Sequence, residues 1–171
     1  MKLQRLLQPS WMLDTSLAQL PLERLYQGQI KALILDVDRT LLPRHRSELP
    51  AAMEQWLRAA QQQLRVHLFS NNPSRRRIGA VARQLDLPFT TSAGKPRRSA
   101  LRKVLAELGL PPHQVAMVGD RLFTDVLAGN RLGLFTVLVK PVDPLGQTCK
   151  RDRLQRAELG LARWMGASLG R

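Results

Sequence analysis

Cysteine is all but missing from this chain. Cys149 stands alone, so no internal disulfide can form, which suits a reducing, cytoplasmic setting. Histidine is scarce too: His45, His67 and His113 are scattered without metal-ligand spacing. Only eight aromatic residues are present and few sit among the arginine runs, a poor composition for stacking single-stranded nucleic acid. No apolar run approaches the roughly 18 residues of a membrane span. The N-terminal stretch "MKLQRLLQPSWMLD" is broken by Gln, Pro and Asp too early for a secretory signal. Internal repeats, low-complexity tracts and linkers are lacking, and the 171 residues are expected to form a single domain, 1–171, able to bury a core without covalent staples. Acidic residues are also in short supply. Thirteen Asp and Glu face 27 Lys and Arg, a net charge of +14 that attracts polyanions: nucleic acid, anionic lipid headgroups or phosphorylated ligands.

What the chain does have is short, continuous apolar runs: "KALILDV" (31–37), "RVHLFS" (65–70), "VAMVG" (115–119), "LFTVLVK" (134–140) and the shorter "LPFTTS" (87–92). Such runs are what strands covered on both faces require. Between them Met53, Trp56, Leu57, Ala60 and Leu64 keep helical spacing, as do Ile78, Val81, Ala82 and Leu85 after an N-cap at Ser74. Leu101, Val104, Leu105 and Leu108 follow Pro96 and stop at Gly109. Strands alternating with helices predict an α/β fold, a doubly wound, Rossmann-like parallel sheet with flanking helices. Its motif core spans 31–140, with helical extensions over 1–30 and 141–171. One or two short helices are expected around Pro9 and Pro21, and a terminal helix over 151–169, with Leu154, Ala157, Leu161, Trp164 and Met165 roughly on one side.

The first strand ends in "DVDRT". Two aspartates one residue apart at a strand end read, by themselves, as a solvated turn. The other strand ends change that reading. The second closes on "SNN" (70–72), Lys95 precedes Pro96 at a helix start, and the fourth run is followed by "GDRLFTD", with Asp120 and Asp125. In a doubly wound sheet these ends share one edge, where ligands bind. Acids crowded there repel one another unless a hard cation joins them, and oxygen donors suit Mg²⁺. "SAGKPRRS" lacks the earlier glycine of a P-loop, so Lys95 is not read as a nucleotide-binding lysine.

In order and spacing, "DVDRT", the Ser of "SNN", the Lys of "GKP" and "GDRLFTD" resemble the four motifs of the haloacid dehalogenase superfamily of phosphatases. Through "GDRLFTDVLAGNRLG" (119–133), the N-terminal segment and the tail to about residue 160, the chain is most similar to the YqeG-type phosphatases of subclass IIIA. The resemblance implies a phosphoric monoester hydrolase working through an aspartyl-phosphate. Asp36 would be the nucleophile, and Asp38 the acid that protonates the leaving oxygen and then activates water. Ser70 and Lys95 would hold the transferring phosphoryl oxygens. Asp36, Asp38 through its backbone carbonyl, and Asp120 would bind Mg²⁺, with Asp125 nearby. Thr40, Asn71, Arg39, Arg75, Arg76 and Arg77 complete the candidate set on the substrate side. Arg39 stands where relatives usually carry Asn or Gly, and is expected either to favour an anionic substrate or to hold Asp38 ionised and weaken it as an acid.

Residues 41–69 and 73–94 are consumed by a crossover helix and strand each, leaving no room for a cap domain. An open site suits a phosphate carried on something too large to enclose. Arginines recur after all four motifs: Arg39, Arg44 and Arg46; Arg75, Arg76 and Arg77; Arg97 and Arg98; Arg121. Cations at helix starts oppose the helix dipole, so they do not serve helix stability. They form a cationic rim expected to dock an anionic surface. The resemblance extends to phosphatases of phosphatidylglycerophosphate, and the amphipathic tail either contacts a membrane peripherally, with Arg151, Arg153, Arg156 and Arg163 on lipid phosphates, or packs on its own domain. Two other readings stay open: a nucleic-acid or ribosome-binding protein on a weakened phosphatase fold, and a phosphatase of a phosphorylated protein or sugar.

Overall fold

The computed structural model describes residues 3–169, so positions 1–2 and 170–171 of the expected single-domain span lie outside the described residues. Six strands form one sheet: β1 (Trp11–Met12), β2 (Ala32–Leu35), β3 (Arg65–Phe69), β4 (Phe89–Thr90), β5 (Val115–Gly119) and β6 (Phe135–Leu138). Their order is β1-β6-β5-β2-β3-β4 and every pair is parallel. The last five fall within the five apolar runs. β1 is an addition to the sequence reading, which put helices alone over the N-terminal extension. Helices α1 (Leu3–Leu6) and α2 (Leu22–Gln27) do flank Pro9 and Pro21, but Trp11–Met12 between them pairs with Val137–Leu138 and becomes the edge strand.

Alternation along each strand divides the core. Leu33, Leu35, Val66, Leu68, Ala116 and Val118 point to one face, where they meet α3 (Ala51–Gln61) and α4 (Arg75–Arg83) through Met53, Leu57, Ile78 and Val81. Ala32, Ile34, Val115 and Met117 point to the other, against Leu101 and Val104 of α5 (Ser99–Leu108). Each element thus buries apolar side chains worth about 1.5–3 kcal/mol apiece, and the sheet is covered on both faces as its sequence demands. The punctuation is as expected. Ser74 caps α4 by accepting from the Arg77 N–H at 3.3 Å, and Gly109 ends α5 at φ +62°.

A smaller cluster lies under α7 (Arg153–Trp164), which α6 (Leu127–Asn130) precedes in the chain. Leu159 and Ala162 pack on Leu7, Leu122, Val126 and Leu138. The chain runs outward from β2 through β3 to β4, then returns to place β5 on the other side of β2. The switch point therefore falls between β2 and β5, and the crevice beyond their carboxyl ends is the natural ligand site. Between β2 and α3 the residues form only turns and an isolated bridge, and no cap-sized element is inserted there.

Candidate active site

Because all strands are parallel, Asp36, Ser70 and Asp120 each follow directly on the last residue of a strand and arrive at one edge. They line a pocket of about 260 Å³ together with Asp38, Lys95 and Arg121. Asp36, Asp120 and Asp125 are buried, and one carboxylate oxygen of each lies within 4.8 Å of the others.

Lys95 sits among these acids. It occupies the turn ahead of α5, which begins only at Ser99, so the expected placement at the helix start is corrected. Its buried Nζ donates to Asp36 Oδ1 at 2.5 Å and to the Phe69 carbonyl at 3.0 Å, and lies 2.7 Å from Asp125 Oδ1. The Asn71 amide holds it in place. It accepts from the Lys95 N–H at 2.8 Å and donates to the Lys95 carbonyl at 3.1 Å, so its side chain is committed to the Lys95 backbone. Thr40, fully buried, donates to Asp36 Oδ2 at 3.0 Å. Ser70 Oγ accepts from the Asn72 N–H at 3.1 Å.

Asp125 reaches the cluster by a local distortion. Residues Leu122–Val126 form one π-helical turn, from which Asp125 Oδ2 folds back to accept the Arg121 N–H at 3.1 Å. The space it fills belongs to Gly119: a Cβ there would lie 2.2 Å from Asp125 Oδ2 and 2.7 Å from its Cβ.

The electrostatics follow from burial. It pushes the Asp36 carboxyl up to about 6, an effect that Lys95 opposes and Asp125 reinforces. Asp120 rises to about 8, first through burial and then through repulsion from Asp36 and Asp125, partly offset by Arg39 and Arg121. Burial would lower Lys95, but Asp125 and Asp36 outweigh it and hold the ammonium above the ordinary lysine range. Asp120 Oδ2 is buried without any donor, and Asp125 Oδ1 has the Lys95 ammonium alone, at 2.7 Å. Buried carboxylate oxygens without donors are what a bound cation would satisfy, so this donor set fits a hard divalent metal.

Asp38 stands at the rim rather than in the acid cluster. Its carboxylate accepts from Asn72 Nδ2 at 3.0 Å and from Arg77 Nη1 at 2.7 Å. The cation beside Asp38 is thus Arg77, in place of the expected influence of Arg39. Arg39 adopts φ +68°, and its side chain turns to Asp152, the N-cap of α7. The cationic rim is likewise less free than its sequence suggests. Arg77 is also bound to the carbonyls of Arg46 at 2.9 Å and Pro43 at 3.0 Å, and Arg75 lies 5.1 Å over the Phe89 ring. Arg76 is exposed and Arg44 lines the pocket.

Sequence reasoning missed the contribution of α7. Glu158 Oε1 accepts from Arg121 Nε at 2.8 Å and Nη2 at 2.6 Å, while Oε2 accepts from the Leu122 N–H at 2.8 Å. Gln155 Nε2 donates to the carbonyls of Asp120 and Val139, both at 2.8 Å. The signal was present: Gln155, Glu158, Leu159 and Ala162 stand at i, i+3, i+4 and i+7, one helical stripe masked by its mixed polarity.

Gly119→Ala is expected to push Asp125 away from Lys95 and to lower stability by about 1–3 kcal/mol in urea unfolding, the range for an overpacked buried site. Unchanged stability would mean that Asp125 does not need this close approach.

Comparison with known proteins agrees with this geometry. The HAD-hydrolase-like family model matches residues 92–153. "Probable phosphatase YqeG" of Bacillus subtilis (strain 168) is 33% identical over 121 residues, 70% of this chain and 70% of that protein. The chloroplastic phosphatidylglycerophosphate phosphatase 1 of Chlamydomonas reinhardtii is 31% identical over 144 residues, 78% of this chain but 54% of that protein, so the chain spans about half the length of that relative. A solved HAD-superfamily subfamily IIIA hydrolase from Legionella pneumophila superimposes with a TM-score of 0.55 at 20% identity, over 82% of this chain and 86% of that one. With a relative of this identity and coverage, and with the strand-end motifs assembled in one pocket, the chain belongs to the YqeG-type phosphatases of the haloacid dehalogenase superfamily.

Proposed function

We propose that this site hydrolyses a phosphate monoester carried on an anionic lipid headgroup, phosphatidylglycerophosphate being the leading candidate, through an aspartyl-phosphate on Asp36. The observation that carries the reading is the convergence of Asp36, Asp120, Asp125 and Lys95, with the buried Asp120 Oδ2 left without a donor.

Mg²⁺ would be held by Asp36, Asp120 and Asp125, with the backbone carbonyl of Asp38 as a further oxygen donor. When bound it would offset the charge of the phosphoryl group. The chain's own residues do the rest. Thr40 and Lys95 fix the Asp36 carboxylate, and each carboxylate oxygen retains acceptor capacity beyond the bond it makes. One of them attacks phosphorus in line with the leaving oxygen, and the phosphorus–leaving-oxygen bond breaks. Ser70 and Lys95, which line the pocket, would hold the equatorial oxygens, Lys95 by turning an N–H from a present partner to the phosphoryl group. Asp38 delivers a proton to the leaving oxygen and later takes one from the water that cleaves the acyl phosphate. Arg77 and Asn72 aim its carboxylate.

The lipid headgroup is supported by the mouth and by a relative. Arg44 and Arg121 border a pocket that no inserted domain covers, and the Chlamydomonas relative is named for phosphatidylglycerophosphate. No helix among the described residues is long and apolar enough to cross a membrane, so such a substrate would be met from the bilayer surface.

In a phosphate-release assay with Mg²⁺, the chain is expected to hydrolyse phosphatidylglycerophosphate in mixed micelles, and Asp36→Asn to lower the rate roughly 10⁴-fold or more. Activity that survives Asp36→Asn would remove this residue as nucleophile. Hydrolysis of phosphosugars or phosphopeptides in preference to the lipid would refute the headgroup assignment.

The raised carboxyls give a second test. The folded, metal-free protein binds protons at Asp36 and Asp120 more tightly than the unfolded chain, whose aspartates titrate near 3.9. Their stabilising contribution is therefore complete at low pH and is lost as pH rises through about 6 and about 8. Without divalent cations the unfolding temperature should fall by a few degrees across that window. Mg²⁺ should restore it most at the alkaline end, and Asp120→Asn should flatten the profile. A profile that Mg²⁺ leaves unchanged would contradict the metal assignment.

A further inference from the structure

The polar links of α7 face inward, and its opposite face is free. Leu154, Ala157, Leu161 and Trp164 follow a 3-4-3 spacing and form one stripe. Leu154 is 40% exposed, Leu161 48% and Trp164 83%, among the few large apolar side chains that the fold leaves in water. Beside this stripe runs a second one, of Arg153, Arg156 and Arg163, all exposed. The only acid of the helix, Glu158, is buried against Arg121, and the N-cap Asp152 is paired with Arg39. The outward side of α7 therefore presents apolar and cationic groups with no free carboxylate of its own. At the far end of the helix Gly166 adjoins Gln4 of α1, whose Leu3 is 51% exposed.

We propose that this outward face of α7 docks on the surface of an anionic lipid bilayer. The inference deepens the lipid-headgroup reading of the site and rests on it for its role in catalysis. The charge pattern selects the occupant. An apolar stripe with arginines along one edge matches an interface where acyl chains meet phosphates, and an exposed tryptophan is at home at that depth. A second copy of this chain would set the same arginines against one another, with +14 on each partner. Nucleic acid would satisfy the arginines but leave Leu154 and Leu161 in water, with Trp164 alone to stack.

The placement of the helix gives the docking a consequence. Its N-cap and first two turns are tied to residues at the edge of the site: Asp152 binds Arg39, Gln155 binds the Asp120 carbonyl, and Glu158 binds Arg121. The stripe begins at Leu154, between the first two of these contacts. A bilayer that seats α7 therefore meets the protein beside the mouth of the site, and lipid headgroups reach Arg44 without leaving the membrane.

Flotation of the full chain with vesicles tests this directly. The protein is expected to float with phosphatidylcholine vesicles containing phosphatidylglycerol and to stay behind with phosphatidylcholine alone. Leu161→Ser combined with Trp164→Ser, both exposed, should weaken binding at least ~10-fold while phosphate release from p-nitrophenyl phosphate is unchanged. Replacing Arg153, Arg156 and Arg163 by Gln should reduce binding on the order of 100-fold. Trp164 emission should shift to the blue on anionic vesicles, and Trp164→Phe should abolish that shift. Failure to float with any vesicle would overturn the proposal, as would equal flotation of wild type and the Leu161/Trp164 variant. Sedimentation showing a dimer that this variant dissolves, with no vesicle binding, would assign the face to a second copy instead. Vesicle binding without phosphate release from any ester would support the docking and refute the catalytic reading.

Discussion

One buried ammonium organises this molecule's functional edge. Lys95 lies among three carboxylates, two delivered by strand ends of the parallel sheet and the third by the π-helical turn, 2.5 Å from Asp36 and 2.7 Å from Asp125. Buried acids in such proximity are tolerable only if protonated or compensated, and a single lysine compensates one of the three. Burial together with that remaining deficit explains why Asp120 holds its proton to about 8, with its Oδ2 left without a donor. A divalent cation has the charge and the ligand preference that the arrangement leaves unmet. The surrounding details serve that charge arrangement. Asn71 clamps the Lys95 backbone, Thr40 orients Asp36, and Gly119 leaves room for Asp125.

The second organising feature is the attachment of the chain's end to this edge. α7 buries little apolar surface for its length and is instead held by Asp152, Gln155 and Glu158, each of which bonds a residue or backbone group of the catalytic loops. Polar fastening of this kind is directional: it fixes where the helix lies and leaves its apolar stripe unspent. It also takes Arg121 and Arg39 out of the free cation pool. Arg77 is drawn in similarly by Asp38, so the cations left to meet a ligand at the mouth are fewer than the sequence's count suggests.

Much of this was legible in the sequence, for physical reasons. The strands of a covered parallel sheet are continuous apolar runs, so five of them could be read, and parallel topology alone sends their ends to one edge. That is why Asp36, Ser70, Lys95 and Asp120 could be grouped before any coordinates. Ser74 and Gly109 follow from local backbone chemistry. β1 could not be read, because two residues carry no period. Arg39 was misdirected because its positive φ turns the side chain towards Asp152, a partner 113 positions away, and spacing is blind to such pairs. The inward face of α7 was hidden for a related reason. Hydrophobicity selects Leu154, Leu161 and Trp164 as the core-facing stripe, whereas the helix is in fact held by Gln155 and Glu158.

The central claim is that Asp36, Asp120, Asp125 and Lys95 form one cation and phosphate site. Calorimetric titration of Mg²⁺ into the metal-free chain, with and without orthovanadate, addresses it most directly. The account predicts one Mg²⁺ per chain, bound more tightly when vanadate is present and lost in Asp120→Asn. Binding that Asp120→Asn leaves intact, or that vanadate does not affect, would contradict it.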